Sequence, residues 1–153
     1  MRQLELRIPP LALGAGFAAA IVVLGHYVPS ANEPFPGHRS VALALLMAGV
    51  VVAAAGVAQF RLAKTSVNPM VPGRARSIVA TGVFGWSRNP MYLGMAVTLL
   101  GLSAWFGTIL GYALIPLFCM YITEFQIKPE ERALLASFGA EYETYMAKVR
   151  RWF

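Results

Sequence analysis

Two stretches free of charged side chains dominate the first half of the chain, Leu11 to Val28 and Val41 to Phe60. At a rise of about 1.5 Å per residue, each is long enough to cross a bilayer as an α-helix. A third uncharged stretch, Met91 to Thr123, holds 33 residues, too many for one crossing and just enough for two short ones. Near its middle, Trp105-Phe106-Gly107-Thr108 combines a turn glycine with an aromatic pair suited to a membrane interface, which predicts a tight helical hairpin. The pattern predicts an all-α integral membrane protein with four transmembrane helices, at about 11–28, 41–60, 91–106 and 109–125, forming one domain over 1–153.

The polar intervals are not plain linkers. Between the second and third spans, 61–90 carries Asn68-Pro69, Val71-Pro72-Gly73 and Thr81-Gly82, turn signals too closely spaced for a long helix. Its apolar residues Ile78, Val79, Val83, Phe84 and Trp86 are costly to leave in water and are expected to fold back against the helix ends. In the tail, 128–153, Pro129 followed by Glu130 and Glu131 reads as a helix start, with acids complementing the positive end of the helix dipole. Leu134, Leu135 and Phe138 continue at helical spacing to Gly139. Tyr142, Tyr145, Met146 and Val149 then mark a second amphipathic stretch, equally compatible with a helix lying on the headgroups, where Trp152 and Phe153 would anchor it.

Composition agrees with lipid as the main solvent: 58% of the 153 residues are hydrophobic and 13% are charged, against roughly 25% charged in a soluble domain. The formal charge of +6 lies outside the apolar runs and lacks interleaved base-stacking aromatics, which excludes nucleic acid and suits membrane lipid headgroups. Arg39 alone lies between the first two spans, whereas Arg61, Arg74, Arg76, Arg88, Lys128, Arg132, Arg150 and Arg151 are among the basic residues of the central loop and tail. The positive-inside rule then places both termini and the central loop in the cytoplasm, with a bacterial inner membrane as the expected location. Glu5 and the length of the first run oppose a cleaved signal peptide. Cys119, the single cysteine, reads as a small buried hydrophobe, and no metal-ligand cluster is expected. His26 and His38 fall on the outer side and read as bystanders; Glu124 is open between partner of a basic residue and pocket wall.

Two strings stand out: Thr81-Gly82-Val83-Phe84-Gly85-Trp86-Ser87-Arg88-Asn89-Pro90-Met91-Tyr92-Leu93-Gly94, and Pro129-Glu130-Glu131-Arg132 followed by Phe138-Gly139-Ala140-Glu141-Tyr142 and Tyr145. Together they resemble the isoprenylcysteine carboxyl methyltransferase and phospholipid methyltransferase superfamily of integral membrane enzymes, in the form of its small bacterial members. The resemblance covers about 65–153; residues 1–60 match only as apolar spans. It implies S-adenosyl-L-methionine as methyl donor and a lipophilic or lipid acceptor arriving from the bilayer. It also implies a cofactor pocket lined by Ser77, Ile78, Val79 and Phe84, by Asn89, Pro90, Met91, Tyr92 and Gly94 of the arginine motif, and by Glu130 and Glu131. Arg88 takes a positioning role in catalysis.

Two departures matter. Many members have histidine after the arginine, whereas this chain has Asn89, which cannot titrate and so cannot accept a proton. Where isoprenylcysteine enzymes hold the substrate carboxylate with an arginine before the acidic pair, Gln126 stands here. Gln126 and Arg132 are the candidate substrate-binding residues, and an amine, thiol or phenol is favoured over a carboxylate.

Methyl transfer from a sulfonium is an in-line displacement with a pre-activated electrophile, so alignment alone contributes on the order of 7–11 kcal/mol in favourable cases. A site without a nucleophilic triad or histidine is sufficient. Gly94, Gly101 and Gly111, with Ala96, Ser103 and Ala104, predict close helix contact on some faces and gaps on others, through which a lipid acceptor could pass sideways. Two other functions stay open: a nicotinamide-dependent membrane reductase of the sterol-reductase type, whose C-terminal part resembles this superfamily, and a non-enzymatic four-span membrane protein.

Overall fold

The computed structural model describes residues 5–63 and 77–153. The expected turns at Asn68-Pro69 and Val71-Pro72-Gly73 lie outside the described residues, as do Arg74 and Arg76. Six helices carry the described chain: α1 (Pro10–Tyr27), α2 (His38–Leu62), α3 (Pro90–Phe106), α4 (Ile109–Ile122), α5 (Lys128–Phe138) and α6 (Ala140–Lys148). No strand occurs among the described residues, where the sole bridge pairs Asn32 with Thr108.

Three helices are long and apolar enough to cross a membrane: α1, α2 and the continuous 30-residue helix Ile109–Phe138. The third expected span, α3, has 17 residues; it rises about 25 Å, a little less than the ~30 Å hydrocarbon core. The outer faces are apolar, with Leu11, Met47, Val51, Leu117 and Met120 exposed, an arrangement suited to lipid rather than water.

Small residues determine how the helices meet. A Cβ on Gly94 would lie 2.5 Å from the Gly49 carbonyl oxygen, and one on Gly101 would lie 2.9 Å from the backbone nitrogen of Leu46. The α2 and α3 backbones are therefore in direct contact, as small-residue packing permits. On the other side of α3, Tyr92, Ala96 and Leu99 join Ile21 of α1 and Phe118 and Ile122 of α4 in the main core.

The hairpin turn is where the sequence predicts it. Gly107 has φ 64°, a left-handed conformation that glycine adopts without cost, and a Cβ there would meet Pro34 at 2.8 Å. The α1–α2 connection does more than link two helices: the Glu33 N–H donates to the Gly107 carbonyl at 2.8 Å and clamps the hairpin. The Arg39 guanidinium lies 5.7 Å from the centroid of the Trp105 ring.

One expectation is corrected. The helix does not restart at Pro129 but runs through a π turn, Thr123–Ile127, directly into α5. Proline cannot donate to the carbonyl four residues back, that of Phe125, and its ring would clash with it. The widened turn makes room, and the Leu6 N–H donates to the Phe125 carbonyl at 3.0 Å instead. Glu130 and Glu131 therefore do not cap a free helix end.

The α2–α3 contact predicts contrasting glycine substitutions. Gly94→Ala should destabilise by about 1–3 kcal/mol, because its methyl group has no space against the α2 backbone. Gly16→Ala, where a Cβ meets nothing within 4 Å, should cause no loss; thermal unfolding in detergent checks both.

Candidate active site

The antiparallel course of α1 to α4 gathers the N-terminal segment, the end of α2, residues 77–90 and the tail at one end of the bundle. Here a short 3₁₀ turn, Gly82–Gly85, buries Phe84 against the ring of Phe60, with centroids 4.7 Å apart. The Gln59 amide, oriented to satisfy both its groups, donates to the Thr81 carbonyl at 2.9 Å and accepts from the Val83 N–H at 3.2 Å. Ile78 is partly buried against the tail cluster of Tyr142, Tyr145 and Val149 rather than against the ends of the spans, and Val79 is half-buried. Trp86 is 85% exposed and does not fold back, because the turn aims it away from the core that Phe84 enters.

The Arg88-Asn89-Pro90 corner is held by the segment after α6. The Arg88 N–H donates to the Arg150 carbonyl at 3.0 Å, and Asn89 Nδ2 donates to the Arg151 carbonyl at 2.9 Å. Buried Ser87 accepts the Asn89 N–H at 3.1 Å. The Tyr145 hydroxyl donates to the Phe84 carbonyl at 2.7 Å. Burial, with Glu131 nearby, pushes the Tyr142 hydroxyl up to about 12, and burial pushes Tyr145 up as well. Both stay neutral, so Tyr145 remains a donor.

The acidic pair faces this corner. The Tyr92 hydroxyl, in the first turn of α3, donates to Glu130 Oε1 at 2.5 Å. Glu131 accepts from Arg151 through both carboxylate oxygens, at 3.0 and 2.7 Å, and lies 3.2 Å from Arg88 Nη2. The hydrogen bonds to Glu131 hold the Arg151 guanidinium above its ordinary range. The Arg88 side chain is 10% exposed and Glu131 12%, whereas Arg151 is 36% exposed, so this cation–anion–cation chain is buried at Arg88 and opens to the surface at Arg151. Arg88 Nε and Nη1 are buried without a partner among the described residues, a costly condition for charged donors.

The remaining residues expected at the site are divided. Ser77 is exposed and Pro90 is buried at the start of α3. Met91 and Gly94 face α2, where a Cβ on Gly56 would meet Met91 Cγ at 2.8 Å. Gly94 lies opposite Tyr92 in helical phase and Met91 about 100° from it, and in this structure both pack on α2. Gln126 is fully buried, and its Nε2 donates to the Ile8 carbonyl at 2.7 Å, tying down the N-terminal segment. Arg132 pairs with Glu5 at 2.5 Å, and Glu124 pairs with Lys128 one turn on. His26 and His38 lie at the opposite end, beside the α1–α2 connection. Ser87 and the side chain of Arg151 are additions that the sequence did not single out. Basic residues after an amphipathic helix carry no signal of a carboxylate partner 20 positions earlier.

Two grooves flank the cluster. One, of about 610 Å³, runs between α5 and α6 and is lined by Lys128, Glu131, Arg132, Leu135, Ala136, Met146 and Arg151. The other, of about 380 Å³, is almost wholly apolar and lies between α3 and α4, lined by Leu93, Ala96, Val97, Leu100, Ile115, Cys119, Trp152 and Phe153.

An apolar helical bundle with a charge-paired cluster at one end, built from an Arg-Asn-Pro corner and an acidic pair, has the form of an integral membrane protein. A model of the phospholipid methyltransferase family matches residues 38–141, more than half of the chain, and the chain belongs to that family of membrane methyltransferases. The match begins at α2, earlier than the motif strings, and ends at Glu141, before Tyr145. An uncharacterised protein of Haemophilus influenzae is 42% identical over 62 residues, which are 40% of this chain and 98% of that protein. No solved structure matches the chain.

The cluster predicts an asymmetry between two ion pairs. Glu131→Gln leaves Arg88 buried without its counter-charge and should cost about 3 kcal/mol. Arg132→Gln removes only the largely exposed Glu5 pair and should change stability by less than about 1 kcal/mol. Chemical denaturation in detergent compares the two.

Proposed function

We propose that the chain is an integral membrane methyltransferase that uses S-adenosyl-L-methionine to methylate a lipophilic small molecule or lipid. The observation that carries this reading is the convergence of the two motif strings: Tyr92 meets Glu130 and Arg88 meets Glu131, beside an apolar groove.

The donor set fits the cofactor. The unpartnered edge of Arg88 suits the carboxylate of the cofactor's amino-acid end, in a charge-assisted hydrogen bond. Glu130, steered by the Tyr92 hydroxyl, suits ribose hydroxyls or the ammonium group. When bound, the cofactor supplies a methyl group already activated as a sulfonium.

The protein's part is to hold and orient. Glu131 balances Arg88 and Arg151 and is a positioning residue for Arg88. Asn89 is committed to the Arg151 carbonyl and closes the corner; it moves no proton. Gln126, committed to Ile8, offers no cationic clamp for a carboxylate acceptor, which favours an amine, thiol or phenol. Arg88 and Glu131 are largely shielded from water, so their charges act more strongly on each other and on a ligand than exposed charges would.

Among the described residues, Arg7, Arg61, Arg88, Lys128, Arg132, Lys148, Arg150 and Arg151 lie at the site end, and Arg39 lies at the other. That imbalance supports a cytoplasmic site with both termini on the same side. The proximity of α3 to the length of a crossing supports four spans.

Detergent-purified protein should be stabilised by S-adenosylhomocysteine, by about 2.7 kcal/mol at a hundredfold excess over Kd, and not by NADPH. Tyr92→Phe should weaken that binding roughly tenfold or more, since it removes a hydrogen bond to a carboxylate. Radiolabelled methyl transfer into a total lipid extract should yield a labelled lipophilic product. Stabilisation by NADPH alone would support the reductase, and stabilisation by neither would support a non-enzymatic protein.

A further inference from the structure

We propose that Glu130 carries a proton in the ligand-free site and gives it up when the cofactor binds, so that binding releases a proton to solvent, an inference that rests on the methyltransferase reading. Two neighbouring acids meet opposite surroundings. Glu131 lies between two guanidinium groups, Arg88 at 3.2 Å and Arg151 at 2.7 Å, and is the anion of the cluster. Glu130, one residue earlier, accepts from a neutral group, the Tyr92 hydroxyl.

The groups that face Glu130 are Tyr92 of α3, Glu131 of its own helix and Tyr142 of α6, and none of them is a cation. The cations nearby are committed elsewhere: Arg88 and Arg151 to Glu131, Lys128 to Glu124, and Arg132 to Glu5. Among the described residues, Glu130 is therefore a partly buried carboxyl with a like charge beside it and no counter-charge. Both conditions favour the neutral form. Burial pushes its carboxyl up to about 8; the Tyr92 hydrogen bond opposes the shift and Glu131 adds to it.

Adjacent acids driven apart in this way divide their roles. Glu131 stays charged and holds Arg88, while Glu130 titrates. With Oε1 accepting from Tyr92, the proton sits on Oε2. The Tyr142 hydroxyl is within electrostatic reach of Glu130, Glu131, Arg88 and Arg151 together, so Glu130 and the unpartnered edge of Arg88 belong to one small site. A ligand whose carboxylate meets Arg88 and whose ammonium group meets Glu130 brings the counter-charge that the protein lacks there. The O–H bond of Glu130 then breaks and the buffer takes the proton. Tyr142 and Tyr145 stay neutral, and His26 and His38 lie at the opposite end, so none of these contributes a proton in the same range.

Isothermal titration of S-adenosylhomocysteine into detergent-purified protein, repeated in buffers of different ionisation enthalpy, counts the protons released. Close to one should leave at pH 6.5 and about half as many at pH 8. The affinity should fall about tenfold per pH unit below about 8 and level off above it. Glu130→Gln keeps an acceptor for Tyr92 but cannot ionise; it should bind more weakly and release no proton beyond the ligand's own. Tyr92→Phe, which removes the bond that favours the ionised form, should move the midpoint to higher pH. Infrared difference spectra of the ligand-free proteins at pH 6.5 should show the carbonyl band of a protonated carboxyl in the unsubstituted chain and its loss in Glu130→Gln, a readout that needs no ligand.

Binding without proton release, proton release that persists in Glu130→Gln, or an unsubstituted protein without the carboxyl band would each overturn the role of Glu130 and leave the methyltransferase reading standing. No binding of S-adenosylhomocysteine at any pH would sink that reading, and this proposal with it.

Discussion

Glu130 and Glu131 are neighbours on a helix, so their side chains leave the axis about 100° apart and cannot serve the same partner. The fold uses that divergence. Glu130 reaches Tyr92 in the first turn of α3, and Glu131 reaches Arg88 just before α3 and Arg151 just after α6. Three segments far apart in sequence are joined through two adjacent carboxylates. Removing Glu131 from between two guanidinium groups leaves like charges facing each other in a poorly solvated place, which is why the arrangement has to be complete to be stable.

The acids are in reach because the helix from α4 never stops. A fresh start at Pro129 would have let α5 leave at another angle, and the acids would have capped its free end. Instead a π turn absorbs the proline, and the N-terminal segment provides the replacement donor from Leu6 and an acceptor for Gln126. The chain before α1 is thereby part of the site's support, linked to the acids through one carbonyl and one amide.

Packing in the membrane-facing part of the bundle is uneven for a related reason. α3 turns its glycines toward α2, where backbone meets backbone, and its larger residues Leu93, Val97 and Leu100 toward the gap beside α4. A helix that spends its small residues on one neighbour cannot approach the other as closely. The tight face fixes α3, and with it Tyr92, while the looser face leaves room for an apolar guest beside the polar cluster.

The apolar runs alone determined α1 to α4 and the turn at Gly107, because a chain in lipid has to satisfy its backbone polar groups internally and so forms helices across such runs. The two motif strings were legible as well, since their residue order is written locally. The partners of those residues were not. That Met91 and Gly94 face α2 while Tyr92 faces Glu130 depends on the phase of α3, and that Gln126 serves Ile8 depends on where the N-terminal segment runs. The joining of Arg151 to Glu131 and the seating of Trp152 in the groove depend on the return of the chain after α6. Only the tertiary structure decided these, because periodicity and composition record each residue's tendency to be buried or charged, whereas a hydrogen bond between distant segments depends on where both backbones end up in space.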